Sequence, residues 1–259
     1  MDFQFKIGLK LYSTNTDLIP EAILLKDQFF KFIELYIIPG SYNKTISDWK
    51  EFDVPYVIHA PHFFQGVNLA QRDKRETNLL SYNEARLFAD ELNADMIIAH
   101  GGNKGSLDET IRQIRSINDK RIILENKPRL GLNNEICVGW SPAEFRKIFS
   151  ENVINGIALD FGHASCAARS LGMDVMDVVE EFILFNPKIF HLTDSDSLSE
   201  QDQHYNLGKG NLNLLKFINV MPVNGRLTIE TPRDASRGLA DFMDDVAYLR
   251  NLLTSKENL

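Results

Sequence analysis

Short apolar runs of strand length alternate with amphipathic stretches of helix length along this chain, and the alternation repeats eight times. The strand candidates are Phe5–Leu11, Phe30–Ile37, Tyr56–Ala60, Met96–Ala99, Arg121–Leu124, Gly156–Leu159, Lys188–Leu192 and Arg226–Ile229. They are continuous rather than alternating in polarity, which is the pattern of strands buried on both faces. The clearest helix is Arg75–Leu92, with Leu79, Leu80, Tyr82, Ala85, Leu87, Phe88 and Leu92 on one side. Further helices are expected at Leu18–Lys26, Ile46–Phe52, Leu107–Ile117, Pro142–Phe149, Val175–Phe185, Leu212–Val220 and Leu239–Leu253, with Ser106 and Ser141 as N-cap candidates. Eight strand-then-helix units predict an α/β fold, a (β/α)8 barrel. A doubly wound open sheet is the alternative, but no Gly-x-Gly-x-x-Gly follows the first strand.

The 259 residues suit one such barrel, so a single domain spanning 1–259 is expected. A formal charge of −8 argues against a broad basic footprint for nucleic acid. Cys137 and Cys166 form no ligand cluster. With no signal peptide, membrane-spanning run or lipidation motif, a cytoplasmic, reduced chain is expected.

In barrels of this kind the active site lies at the C-terminal ends of the strands. Here those ends read His59-Ala60-Pro61-His62, His100-Gly101-Gly102, Glu125-Asn126, Asp160-Phe161-Gly162-His163, His191 and Glu230-Thr231-Pro232. The loop after the seventh strand adds Asp202-Gln203-His204. All six histidines lie at or just after a strand end, with Glu125, Asp160 and Glu230 at the same level. Closed into a barrel, these ends converge on one mouth. Buried carboxylates there need cations, so a metal centre of zinc or manganese is expected.

With these residues in place the chain resembles the xylose isomerase-like TIM barrels, a superfamily holding endonuclease IV and many sugar isomerases and epimerases. The resemblance runs from Ile7-Gly8-Leu9-Lys10-Leu11-Tyr12 to Glu230-Thr231-Pro232, and Asp202 through Gly210 is its most diagnostic piece. The ligand set looks most like that of endonuclease IV, which implies up to three ions. His59, His100 and Glu125 would hold the first. Glu125, Asp160, His191 and Glu230 would hold the second, and His163, Asp202 and His204 the third. Epimerases of the superfamily generally keep the Glu-Asp-His-Glu set alone. The endonuclease has a longer basic and aromatic loop after strand two, whereas Pro39–Lys44 is short here.

Two chemistries follow from the resemblance. Clustered dications imply phosphoester hydrolysis on abasic-site DNA or, given the short loop, on a smaller sugar phosphate or phosphodiester. His62, Asn126, Lys127 and Lys209 are then candidate substrate contacts, and Glu125, Glu230 and His163 candidate catalytic groups. A single ion would instead imply a sugar isomerase or epimerase in which Glu125 and Glu230 shuttle a proton.

Overall fold

The computed structural model describes residues 3–256. Eight parallel strands close into a barrel in chain order: β1 (Lys6–Tyr12), β2 (Phe32–Tyr36), β3 (Tyr56–His59), β4 (Ile97–His100), β5 (Ile122–Glu125), β6 (Ile157–Asp160), β7 (Ile189–Leu192) and β8 (Arg226–Ile229). Pairing of β1 with β8, Lys6 opposite Arg226, completes the closure. Around the barrel lie α1 (Ile19–Leu25), α2 (Tyr42–Glu51), α3 (Arg75–Glu91), α4 (Leu107–Ile117), α5 (Pro142–Ser150), α6 (Phe161–Leu171), α7 (Val175–Ile183), α8 (Leu214–Asn219) and α9 (Ala240–Lys256). The expected (β/α)8 architecture is what forms.

The strand period of two explains where the site sits. Phe32, Val57, Ile98, Ile123, Ala158 and Ile189 pack together as an apolar floor. Two residues on, the same strands carry Glu34, His59, His100, Glu125, Asp160 and His191. Each therefore points into the barrel one layer above the floor. The intervening Ile33, Ile58, Leu124 and Leu159 face outward into the main core beneath the helices. Gly8 lets the floor close: a Cβ there would lie 2.3 Å from Cζ of Phe32, so only glycine admits that ring.

Three local expectations are corrected. Glu125, Asp160 and His100 are the last residues of their strands rather than the first residues beyond them. The connection after β2 is shorter than Pro39–Lys44, because α2 already begins at Tyr42. Its first turn is satisfied from outside: Gly40 and Tyr42 donate to the Glu84 carboxylate of α3 at 2.7 and 2.9 Å. Finally, β6 runs straight into α6, which the hydrophobic pattern did not predict. Phe161 through Ala168 are all buried, so the helix has no polar stripe to reveal its period.

Candidate metal centre

Four backbone or side-chain acceptors fix the imidazoles of the polar layer. His59 Nδ1 lies 2.9 Å from the Ala60 carbonyl, His163 Nδ1 2.8 Å from that of Asn126, and His204 Nδ1 2.7 Å from that of Glu230. His191 Nε2 meets Glu34 Oε2 at 2.9 Å. In each ring the other nitrogen turns toward the carboxylates. An outer acceptor that holds one nitrogen while the other faces inward is the usual support of a metal-ligating histidine.

The inward atoms form overlapping sets. Glu125 Oε2 stands 3.4 Å from His59 Nε2 and 3.1 Å from His100 Nε2. His191 Nδ1 is 3.5 Å from Glu125 Oε2, 3.9 Å from Asp160 Oδ2 and 2.9 Å from Glu230 Oε2. Asp202 Oδ2 lies 3.1 Å from His163 Nε2 and also contacts His204 Nε2. His59 with His100 and Glu125, His163 with Asp202 and His204, and Glu125 with Asp160 and His191 each bring three donor atoms within 4.8 Å of one another.

The donor set fits divalent cations. Glu125 Oε1, Asp160 Oδ2 and Asp202 Oδ1 are buried without a hydrogen-bond partner. Such atoms cost free energy unless an ion or other partner meets them. The electrostatics say the same. Burial alone would lower the His163 and His204 pKa values, but the facing Asp160 and Asp202 outweigh it and raise them to about 10 and about 9. Burial lifts Asp160, and Asp202, Glu125 and Glu230 lift it further. His100 goes the other way, to about 3, through burial and the nearby Lys127.

Two residues that the sequence reading did not assign belong to this layer. Glu34 is fully buried and accepts from Thr228 at 2.7 Å as well as meeting His191. Lys10 places its ammonium 2.7 Å from Glu230 Oε1 and 3.1 Å from Glu34 Oε1. Their only sequence signal was a charge inside an apolar strand.

The expected substrate contacts separate. His62 lines the cleft and stacks on His100, centroids 4.6 Å apart and planes 4° from parallel. Lys127 also lines it, 3.6 Å from Glu125 Oε1 and 3.2 Å from His163 Nε2. Asn126 does not: it is fully buried, and its amide brackets the Asp160 backbone at 2.7 and 3.0 Å. Lys209 is exposed and lies outside the residues that line the cleft.

That cleft, about 670 Å³, opens directly above the polar layer. Phe63 and Phe64, centroids 4.2 Å apart, line it together with Leu130 and Leu132. The loop carrying Asp202 is strapped to the β5–α5 connection by Gln201, whose amide donates to Gly131 O at 3.2 Å and Asn134 Oδ1 at 3.0 Å. The same loop is gathered around Asp194, which accepts from the backbones of Ser195, Gly208, Gly210 and Leu212.

A family model described as xylose isomerase-like TIM barrel matches residues 38–252. The uncharacterized protein MJ1311 of Methanocaldococcus jannaschii is 24% identical over 251 residues, covering 86% of this chain and 81% of that protein. Apurinic-apyrimidinic endonuclease 1 of Plasmodium berghei is 26% identical over 276 residues, covering 95% of this chain and 52% of that longer protein. Among solved structures, a D-tagatose 3-epimerase-like protein superposes with a TM-score of 0.73 at 22% identity, over 98% of this chain and 99% of the other. Endonuclease IV from Thermus thermophilus superposes with a TM-score of 0.69 at 20% identity, over 95% and 99%.

Proposed function

The chain belongs to the xylose isomerase-like TIM-barrel family, and from that premise we propose that it is a metal-dependent phosphoester hydrolase acting on a small sugar phosphate or phosphodiester. The observation that carries the reading is the donor set of His163 with Asp202 and His204, standing beside the clusters that include Glu125 and His191. A proton shuttle between two glutamates has no need of it.

His59, His100, Glu125, Asp160, His163, His191, Asp202, His204 and Glu230 would hold up to three ions, zinc or manganese by the nitrogen and oxygen character of the donors. Divalent cations held there supply Lewis-acid chemistry, acidifying water and neutralising charge on phosphoryl oxygens. The chain's own groups do the rest. Glu125 lies between the donor sets and is the carboxylate placed to orient a water and take its proton. Lys127 offers an ammonium to an anionic oxygen beside Glu125. Phe63 and Phe64 give the cleft an apolar, partly exposed lining.

Metal content per chain, measured on protein purified without chelator, tests the reading. About three equivalents are expected, falling by about one in His204→Ala, together with chelator-sensitive hydrolysis of an aryl phosphodiester. One equivalent, unchanged in the variant, overturns it.

One observation favours a second reading. Glu125 and Glu230 approach His191 Nδ1 at 3.5 and 2.9 Å, a pairing that suits proton transfer at a sugar carbon by an isomerase or epimerase. Solvent deuterium incorporated into a ketose without phosphate release would select it.

A further inference from the structure

A second, smaller cavity of about 210 Å³ branches off beside Glu230, lined by Lys10, Tyr12, His204, Glu230, Thr231 and Arg233 among others. Lys10, Tyr12, His204 and Glu230 line the main cleft as well, so the two spaces adjoin. Arg233 follows Glu230 by three residues and comes from the loop above β8. It is half-buried, and its Nη2 donates to the backbone carbonyl of Lys10. Its Nη1 is buried without a partner. Among the described residues no carboxylate pairs with this guanidinium; Asp245, Asp241 and Glu230 act on it only at longer range.

A shielded, unpaired guanidinium is costly, and an anion is what relieves it. Its planar fork matches the oxygens of a phosphate group. Lys10 adds a second cation at the same wall, shared with Glu34 and Glu230. We propose that this side cavity is a subsite for a phosphate monoester group of the substrate, with Arg233 as its principal recognition residue and Lys10 as its support. The subsite binds a phosphate that is not the one being cleaved, and so selects a sugar phosphate over a neutral sugar. Choosing phosphate among anions rests on the proposed function; the existence of the subsite does not.

Binding of inorganic phosphate to the purified, metal-containing protein, followed by calorimetry, tests the subsite without turnover. Arg233→Gln is expected to weaken an Arg233-dependent binding phase at least about tenfold, and Arg233→Lys to restore part of it. Lys127→Gln, altered in the main cleft, is expected to keep that phase. Sulfate should compete and acetate should not. Unchanged phosphate binding by folded Arg233→Gln, or loss of the phase in Lys127→Gln instead, overturns the proposal. Thermal unfolding of the wild type gives an independent check, since a melting temperature no higher in phosphate than in chloride of equal ionic strength also overturns it. A metal count of one would remove the trinuclear reading and leave this outcome untouched.

Discussion

Glu34 shows how one buried side chain governs the centre without standing among the expected ligands. It holds His191 by Nε2, and so aims Nδ1 at Glu125, Asp160 and Glu230. Glu34→Gln is expected to weaken metal affinity about 10- to 100-fold in chelator competition, the usual effect of losing such an outer partner. An unchanged affinity would mean that the ring is aimed by packing alone. The histidines of this layer were legible in the sequence because each closes or follows an apolar run. Glu34 and Lys10 were not, since a charge within a strand carries no mark of which face it takes. Asn126 failed for the converse reason. It neighbours Glu125 in sequence, but alternation along the strand turns it away from the mouth. Lys209 sits in a turn whose backbone N–H groups point to Asp194, leaving its side chain outside.

Among the elements, the loop after β7 depends on one carboxylate. Asp194→Ala leaves four backbone donors without their acceptor, and a loss of about 3 kcal/mol is expected from urea unfolding. Metal content should fall with it, because Asp202 and His204 ride on that loop. On α4, Glu109 is chelated by Arg75 through two 2.6 Å bonds, and those bonds hold its pKa down at about 2. A depressed carboxylate stabilises the fold above its unfolded pKa and loses that contribution as pH falls through the folded value. Glu109→Gln should therefore melt lower than wild type at pH 7, by about 1 kcal/mol, and the gap should close between about pH 4.5 and 2. A gap independent of pH would assign the effect to packing. Helices with a polar face were readable from period. α6 was hidden by the burial of its first eight residues, and the true start of α2 by a cap that arrives from Glu84, far along the chain.

For the molecule as a whole, the proposed small substrate and the formal charge of −8 carry an expectation about duplex DNA. Counterion release from phosphate contacts supplies most non-specific DNA affinity. Duplex carrying an abasic site is expected to show no measurable binding at physiological salt in a mobility-shift assay. Tight binding with a steep salt dependence would contradict the small-substrate reading. The barrel was legible at this scale because eight buried runs between helices admit few other architectures. The strap between Gln201 and the β5–α5 connection was not, because it joins segments that only closure of the barrel brings together.

Barrel closure has a further consequence during synthesis. Lys10 and Glu230 are 220 residues apart, yet they meet at 2.7 Å across the seam between the first and last strands. A nascent chain still lacking its eighth strand has neither Glu230 nor the edge on which β1 completes its pairing. Such a chain can expose the histidines of β3 and β4 but cannot assemble the full donor set around His191. An ion held by that set would therefore enter only once β8 has taken its place beside β1 and β7.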